Sequence, residues 1–279
     1  MKFKKVLAFL LAALMLFGLG ACAPKATEDS DSDDSSQNTL EAIKSRGTLR
    51  LGTSADYPPY EFHISVDGKD TIVGFDVEIG KEIAKDMGVE LEIVDMSFEG
   101  LLAALQAGTI DVVIAGMTPD EERKEAADFS DIYYYAEQGV LIRTEDADKY
   151  TSVDAFEGLD VGAQKGAIQE TIAQEQLTGS NVKGLTKIGP LVLELKTKKV
   201  EAVVMEKPVA ENYISQHPDL MLANIELVDE TGGSAVATNK NQPELLEAIN
   251  TTIKRLLDEG LIDKYVAEAN ILSDQLVEE

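Results

Sequence analysis

The chain has 279 residues, 44% hydrophobic and 27% charged, which is enough for a sizeable core and suggests about two domains. Its formal net charge at pH 7 is −26, and the absence of a basic patch argues against nucleic acid as a partner. The single cysteine, Cys22, excludes an internal disulfide.

The first residues indicate an export signal that ends at a lipid attachment site. Three lysines precede an apolar run of ~15 residues, shorter than the ~20 that a membrane span needs, so residues 1–21 are predicted to be a signal peptide. An uncleaved N-terminal anchor is the alternative. The sequence LGAC, Leu19 to Cys22, resembles the lipobox of bacterial lipoproteins, which implies cleavage before Cys22 and lipid on its sulfur. A chance cysteine is the competing interpretation.

Residues 22–39 are assigned to the lipidated cysteine and an acidic tether. The segment APKATEDSDSDDSSQN, residues 23–38, is polar and almost free of apolar side chains. Such a segment cannot bury enough surface to fold. The folded part is predicted to begin near Thr39. An acyl anchor holds a protein at a membrane surface without spanning it, so we expect an extracytoplasmic, membrane-anchored protein.

Strands and helices alternate in the residues that follow. The sequence TLRLGTS predicts a strand that enters a loop, ADYPPYEFH, and VELEIV predicts another strand. Between them, Gly88 ends an amphipathic helix whose apolar residues recur every four positions: Phe75, Ile79, Ile83 and Met87. A second helix runs through Gln106, stops at Gly108 and precedes a buried strand at residues 110–115.

A second cycle begins after Tyr135. It contains a short helix and a strand in SVDAFEGLDVGAQ, a helix in GAIQETIAQEQL, a helix and a strand in GPLVLELKTKKVEAVVME, and a helix in PVAENYISQ. The last helices run from Pro243 to about Ala269 with no strand after them. Strands separated by ~10–15-residue helices predict parallel sheets covered by helices, here in two α/β lobes.

One of the five arginines, Arg123, lies in the acidic segment AGMTPDEERKEAADFSD, residues 115–131. Thr118 or Asp120 can cap a helix here, and a capping box would place Pro119 in the first turn. Arg123 then lies about one turn into the helix, near an end that favours anions.

A second interpretation of Arg123 stays open from this passage alone. The guanidinium could pair at the surface with Glu122, Asp128 or Asp131, and exposed pairs of that kind are worth ~0–1 kcal/mol. Lys124 beside it is predicted to be a solvated neighbour. The passage predicts either an anion anchor or an ordinary ion pair.

Three passages together resemble the amino-acid-binding proteins of bacterial ABC importers, the polar amino-acid group of extracellular solute-binding proteins. The passages are GTSADYPPYEF, GFDVEIGKEIAKDMG, and the run from FEGLLAALQAG to DFSDIYY. The resemblance extends from about Leu40 to Ala269 and weakens after Tyr150. It implies an α/β fold of the type II periplasmic-binding-protein kind, with two lobes of mixed, mostly parallel sheets around a ligand cleft.

The resemblance also implies domain boundaries. Lobe 1 would be discontinuous and comprise residues 40–133 and 235–279, and lobe 2 would comprise residues 138–230. The two hinge strands would lie near residues 134–137 and 230–234. The lobes would interconvert between open and closed forms by bending at these hinges.

A free amino acid presents a carboxylate, an ammonium and a side chain. A guanidinium matches a carboxylate through two parallel charge-assisted bonds, and the family's matching arginine, here Arg123, holds it with Gly116 and Thr118. The acid for the ammonium would be Glu206, where the family more often has aspartate; a solvated loop acid is the alternative. Tyr57 and Phe98 match the positions that sandwich the ligand side chain, while Tyr60 is predicted to pack in the core.

This sequence departs from the family at three places. Ser54 replaces an aspartate, and Ala167 and Ile168 lack the hydroxyls of the family, which leaves the backbone near Gly166 and the side chain of Gln164 as polar contacts. The directions of Asp56 and Glu61, the nearby acids, stay open. The predicted ligand-binding residues are Ser54, Tyr57, Phe98, Ala115, Gly116, Thr118, Arg123, Gln164, Gly166, Ile168 and Glu206.

The resemblance predicts a monomeric, non-enzymatic protein that captures a polar or basic amino acid and delivers it to a permease and its ATPase, without a cofactor. Two alternatives stay open: a lipid-anchored sensor or adhesin, and a dehydratase on the same fold. A dehydratase needs an acid or base aimed at the reacting atom. The only histidines are His63 and His217, and no metal-ligand or nucleophile motif is present, so Glu61 and Glu206 are the only candidates.

Overall fold

The computed structural model describes residues 39–229 and 232–274. The predicted signal peptide, Cys22 and tether residues 23–38 lie outside these ranges, as do residues 230–231 of the second predicted hinge. Within the described ranges, no helix has both the length and the apolar character of a membrane span.

The described residues form nine α-helices and thirteen strands in three sheets. The helices are α1 Leu40–Arg46, α2 Phe75–Met87, α3 Leu101–Gln106, α4 Glu121–Ala126, α5 Ile168–Gln176, α6 Ile188–Lys196, α7 Lys207–Gln216, α8 Pro243–Asp258 and α9 Leu261–Asp274. The strands are β1 Thr48–Thr53, β2 Asp56–Tyr57, β3 Glu61–Val66, β4 Lys69–Val73, β5 Glu90–Asp95, β6 Val112–Val113, β7 Ala127–Phe129, β8 Gln138–Arg143, β9 Asp160–Gln164, β10 Asn181–Leu185, β11 Ala202–Glu206, β12 Leu220–Leu222 and β13 Ala237–Asn239.

The first sheet has the order β5-β1-β6-β13-β7. β1 pairs in parallel with β5 and β6, while β13 pairs antiparallel with β6 and β7. The predicted strand at residues 110–115 is buried along its length, but its ladder covers only Val112–Val113. The ladder is short because the Asp111 carboxylate itself accepts the Arg50 backbone N–H, and because the chain turns at Gly116, where φ is +57°.

The second sheet has the order β10-β9-β11-β8-β12. β9 is parallel to β10 and β11, and β8 is antiparallel to β11 and β12. Both five-stranded sheets are therefore mixed, as predicted, but each has two parallel and two antiparallel pairings, so the prediction of mostly parallel sheets was wrong. Six strands outside the predicted loop ADYPPYEFH were not predicted: β4, β7, β8, β10, β12 and β13. Most have only three to five residues, which give little periodicity, and β8 is buried at every position and shows no alternation.

The chain leaves the first sheet after β7 and returns to it at β13. An isolated antiparallel bridge joins Tyr134 to Ser234 between those strands, with the Ser234 N–H donating to the Tyr134 carbonyl at 2.7 Å. The bridge lies within the two predicted hinge segments. The lobe boundaries stay a prediction.

The predicted loop ADYPPYEFH contains two strands instead. β2 pairs with β3, and β3 pairs with β4, so that Tyr57 lies opposite Glu61. The loop prediction was wrong because β2 has only two residues and two prolines separate it from β3, which hides the alternation of a hairpin. This small sheet fixes the direction of the side chains at the start of β3.

The helix α2 is the best-predicted element. Its four periodic apolar residues are all buried, and Gly88 ends it in the left-handed conformation. α8 and α9 contact α2, so the last helices cover the first sheet; α9 extends to Asp274 rather than to Ala269, and it also contacts α7. Gly74 precedes α2 at φ +130°, and a Cβ there would lie 2.0 Å from the Tyr60 carbonyl oxygen. Only glycine allows the start of α2 to approach residues 60–61 this closely.

Candidate functional site

A small cavity lies where loops from the two five-stranded sheets meet. It contains residues that follow β1 and β6 in the first sheet and residues at and after the end of β9 in the second. In open α/β sheets, ligands bind outside the carboxyl ends of the strands. The lining residues are Ser54, Tyr57, Glu61, Phe98, Ala115, Gly116, Thr118, Arg123, Gln164, Ala167, Ile168 and Gln169.

The cavity brings together nine of the eleven predicted binding residues; Gly166 and Glu206 are outside its lining. Glu61 and Ala167 also line it, although neither was in the predicted set, and Gln169 was missed altogether. Gln169 is a buried polar residue in the first turn of α5, directly after Ile168. Its place one residue beyond a predicted contact was the signal that could have found it.

Arg123 is held by the short helix α4. The N-cap is Asp120, whose carboxylate accepts the Arg123 backbone N–H at 2.7 Å. The prediction of Thr118 as a cap with Pro119 in the first turn was wrong, because both residues precede the cap. With six residues, α4 has a small dipole, so the positive charge at this side of the cavity is mainly that of the Arg123 side chain.

The Arg123 side chain is buried, with 8% exposure, so the interpretation of an exposed surface pair is wrong. Nη1 donates to the Thr118 carbonyl at 2.8 Å and Nη2 donates to the Gly166 carbonyl at 3.0 Å, while Nε lies 3.4 Å from the Asp120 carboxylate. The guanidinium carbon lies 5.3 Å from the ring centroid of Phe98, in range for a cation–π contact. Burial lowers the pKa of Arg123, although a guanidinium keeps its charge in proteins.

The backbone of Gly166 has a different role from the predicted one. Its carbonyl faces Arg123, and its N–H donates to the Glu170 carboxylate at 2.9 Å. The N–H is therefore already satisfied within the protein and is not free to bind a ligand carboxylate. Gly166 has φ +74°, which suits glycine at this turn between β9 and α5.

The aromatic side chains form two groups. Tyr57 and Phe98 line the cavity, whereas Tyr60 is fully buried with its ring centroid 4.4 Å from that of Phe75. Tyr60 therefore packs in the core, as predicted. The Tyr57 hydroxyl accepts a long hydrogen bond of 3.4 Å from the Glu206 backbone N–H at the end of β11.

The two acids whose directions stayed open point to different places. The Asp56 carboxylate accepts the backbone N–H of Ile188, the first residue of α6, at 2.6 Å and the Ser54 hydroxyl at 3.4 Å. Glu61 instead lines the cavity and is 1% exposed. The acid near Ser54 that lines the cavity is thus Glu61, and Asp56 binds the start of α6.

Three carboxyl groups are buried close to the cavity: Glu61, Asp76 and Glu206. Asp76 Oδ2 accepts the Gly116 N–H at 2.8 Å and the Tyr133 hydroxyl at 2.9 Å. Burial raises the pKa of Asp76 to about 7 and the pKa of Glu206 to about 8. Burial, reinforced by the charge of Asp76, also holds the pKa of Glu61 well above its usual value.

Glu206 occupies the last position of β11 and is 2% exposed. Its Oε2 has no hydrogen-bond partner among the described residues, and its side chain is not part of the cavity lining. The predicted acid is therefore buried beside the cavity, next to Tyr57.

The histidines lie away from the cavity. His63 Nδ1 is 2.8 Å from the Asp70 carboxylate, and His217 Nδ1 is 3.0 Å from Lys196 Nζ. Over the described ranges, no group of three or more His, Cys, Asp or Glu side chains is arranged to hold a metal ion.

Residues 49–268 match the family of bacterial extracellular solute-binding proteins, family 3. The chain belongs to this family. The match includes every residue that lines the cavity.

The chain is similar along almost its whole length to individual family members. It is 37% identical over 264 residues to the arginine-binding extracellular protein ArtP of Bacillus subtilis, covering 94% of this chain and 96% of that protein. Among solved structures, the L-arginine-bound substrate-binding protein AbpA of an amino-acid ABC transporter from Streptococcus pneumoniae has 41% identity and a TM-score of 0.81. That comparison covers 84% of this chain and 98% of that one. The fold is thus the two-lobed fold of amino-acid-binding proteins.

A third relative bears on the enzymatic alternative. An ancestral amino-acid-binding protein, described as a precursor of cyclohexadienyl dehydratase, is 33% identical with a TM-score of 0.74, covering 82% of this chain and 98% of that chain. This relative and the two arginine-binding proteins are named for binding rather than for catalysis.

Proposed function

We propose that the protein captures a free amino acid with a cationic side chain, arginine being the first candidate, and delivers it to an ABC permease. The observation that carries this proposal is one cavity with a buried guanidinium, Arg123, and a buried carboxyl group, Glu61, in its lining. The arginine-binding names of two similar proteins support the same ligand.

The charges of the cavity match the charges of such a ligand. Arg123 would bind the α-carboxylate, because its two short hydrogen bonds go to the neutral carbonyls of Thr118 and Gly166 and its one carboxylate partner, Asp120, lies farther away at 3.4 Å. Glu61 would face the cationic side chain. Phe98 and Tyr57 would contact the aliphatic part of the ligand, as aromatic side chains commonly do in such pockets.

Three further residues, Gln164, Gln169 and Glu206, have polar groups suited to the ammonium or the side-chain end of the ligand. Gln164, whose Nε2 is buried without a partner among the described residues, and Gln169 are candidate hydrogen-bonding groups. Glu206 stays the candidate acid for the ammonium, supported by its place beside Tyr57. Its carboxyl group would have to rotate toward the cavity on binding.

We infer a closing movement from contacts that join residues of the two proposed lobes, residues 40–133 with 235–279 and residues 138–230. Asp56 accepts the Ile188 N–H, and Arg123 donates to the Gly166 carbonyl. Both contacts would break on opening. A ligand that touches both lobes favours the closed form through its extra contacts.

The family is extracellular, which agrees with an extracytoplasmic location. We further propose that lipid on Cys22 anchors a monomer to the membrane, with residues 23–38 as the tether. The Cys22→Ser protein should appear in the soluble fraction of expressing cells. Retention of that variant in the membrane fraction would contradict the anchor.

We propose that the protein has no enzymatic activity. Glu61 lines the cavity, which is where a catalytic acid would have to be. The lining within the described residues offers no histidine, cysteine or lysine to share proton transfer with it. Turnover of a cyclic amino or keto acid would contradict this proposal. A sensor or adhesin remains the other alternative, and loss of arginine uptake on deletion of the gene would favour transport over it.

The direct test is thermal unfolding of the mature chain with each proteinogenic amino acid. Arginine should raise the unfolding midpoint most, because a ligand that binds only the folded state stabilises it by mass action. Agmatine, which lacks the α-carboxylate, is the matched control and should have little effect. If no amino acid raises the midpoint, the proposed function is wrong.

A further inference from the structure

Two buried carboxyl groups interact with each other: Glu61, which lines the cavity, and Asp76, which is outside its lining. Glu61 begins β3, and Asp76 is in the first turn of α2, which Gly74 brings against residues 60–61. Asp76 Oδ2 accepts two hydrogen bonds, but Asp76 Oδ1 and Glu61 Oε2 have no hydrogen-bond partner among the described residues. Buried carboxylate oxygens without donors are costly unless a proton or a cation is present.

The groups around Glu61 offer little positive charge. The acids Asp56, Asp76 and Glu206 act on it from β2, α2 and β11. Tyr57 and Tyr133 are also close enough to feel its charge. His63 lies on the same strand, but its ring is engaged with Asp70 and Asp95. Arg123 is the one cationic side chain in the described lining of the cavity, and Phe98 and carbonyl oxygens surround it.

Neighbouring buried carboxyl groups cannot both ionise in the absence of a cation, so the pair keeps a proton. The proton belongs on Glu61, because the Gly116 N–H and the Tyr133 hydroxyl both donate to Asp76 and favour its ionised form. The pKa shifts of the two groups agree with this assignment. The pKa of Asp76 is raised only to about 7, whereas the pKa of Glu61 is held well above its usual value.

We propose that Glu61 selects a cationic amino acid by proton exchange: it is protonated in the ligand-free protein and releases that proton to solvent when the cationic side chain binds. The O–H bond of the carboxyl group breaks, the electron pair stays on the carboxylate, and the ligand keeps its own protons. The inference rests on the proposed function and names the ligand class and the pH response of the same site.

A neutral ligand of the same shape should behave differently. Citrulline replaces the guanidinium of arginine by a neutral urea group, whose carbonyl can accept a hydrogen bond from a protonated Glu61. It should bind without proton release at this position. Any proton released at Glu206 by the ligand ammonium is common to both amino acids, so the difference between the two ligands isolates Glu61.

The test is calorimetric titration of the mature chain with arginine and with citrulline, in buffers of different ionisation enthalpy from pH 6 to 8. Arginine should release about one proton more than citrulline. Since release of one proton makes affinity rise with pH, the ratio of arginine to citrulline affinity should increase by up to about tenfold per pH unit below the pKa of Glu61. The ratio should level off above that pKa.

Glu61→Gln is the matched variant, because glutamine has nearly the same shape and is always neutral. It should still bind citrulline, which shows that the site is folded, while the extra proton release disappears and the two affinities become similar. Glu247→Gln, the same substitution at an exposed position of α8, should behave as the unaltered protein does.

The outcomes separate the two proposals. Tight arginine binding with no extra proton release and a pH-independent affinity ratio would overturn the proton exchange but leave the proposed function in place. An arginine preference retained in Glu61→Gln would overturn the role of Glu61. Failure of every amino acid to bind would overturn the proposed function itself.

Discussion

Arg123 and Arg143 are 8% and 5% exposed, yet their guanidinium groups meet different partners. Arg143, at the end of β8, donates through Nε to the Asp146 carboxylate at 2.6 Å and through Nη2 to Glu201. Its Nη1 donates to the carbonyls of Leu195 and Val200 at 2.8 and 2.9 Å. Arg123 donates to two carbonyls and has one carboxylate, Asp120, at the longer distance of 3.4 Å.

The difference also appears in the direction of the pKa shifts. Burial lowers the pKa of both groups, but hydrogen bonds to Asp146 and Glu201 outweigh it for Arg143, whose net shift is upward. The pKa of Arg123 is lowered. A buried arginine with two close carboxylates stabilises the fold and has its charge compensated. A buried arginine that faces mainly carbonyls beside a cavity has charge that is not compensated, which we expect to attract a ligand anion. Composition cannot distinguish the two; their partners do.

The largest expected effect is on folding stability at Arg143. Arg143→Met removes one partner each from the buried Asp146, which keeps Lys149, and the partly exposed Glu201, which keeps Tyr150. It also removes the donor to two buried carbonyls, and the combined loss should cost about 3 kcal/mol in the free energy of unfolding. Urea unfolding of the ligand-free chain measures this. The folded variant should bind arginine with unchanged affinity. A loss of arginine affinity at constant stability would mean that Arg143 acts on the cavity, and would contradict its purely structural role.

The second effect is on binding at Arg123. Arg123→Ala removes the group that we expect to hold the α-carboxylate, so affinity for arginine should fall at least a hundredfold, or about 3 kcal/mol. The unfolding free energy without ligand should change by less than it does in Arg143→Met. Arg123→Lys, which keeps the charge but loses the two-pronged geometry, should be intermediate. Binding of normal strength by the alanine variant would show that Asp120 and the carbonyls are its only partners.

The predictable parts of the molecule were those with local signals. The helix at residues 75–87 has a regular apolar period, and Gly88 marks its end, so its position follows from the sequence. The cavity residues near Arg123 follow buried strands of the first sheet, and strand ends of parallel sheets meet at one edge. Their proximity therefore follows from the order of strands and loops along the chain, although their individual contacts do not.

The unpredictable parts depend on register and on distant packing. Whether Asp56 or Glu61 faces the cavity is decided by the pairing of a two-residue strand, and a shift of one residue would reverse the answer. Asp76 in the first turn of a helix has the pattern of a solvated acid, yet it is buried because Gly74 permits close contact with Tyr60. The orientation of Gly166 depends on Glu170 accepting its N–H.

The smallest predicted effect comes from the ring under Arg123. The guanidinium lies over Phe98, whereas Arg143 is bound by carboxylates and carbonyls. Phe98→Leu keeps an apolar side chain but removes the aromatic face. At a buried site such as this one the cation–π contact is worth about 1–2 kcal/mol, so arginine affinity should fall about five- to thirtyfold by calorimetry.

Phe98→Tyr retains the aromatic face and is the control, with affinity expected close to that of the unaltered protein. A loss in Phe98→Leu as large as that in Arg123→Ala would mean that Phe98 contacts the ligand with most of its ring. If the ring only orients the guanidinium, Phe98→Leu should lower arginine affinity when Arg123 is present and should have no effect on it when Arg123 is absent. The Phe98→Leu and Arg123→Ala double variant therefore separates the two roles, because effects that depend on a shared contact are not additive.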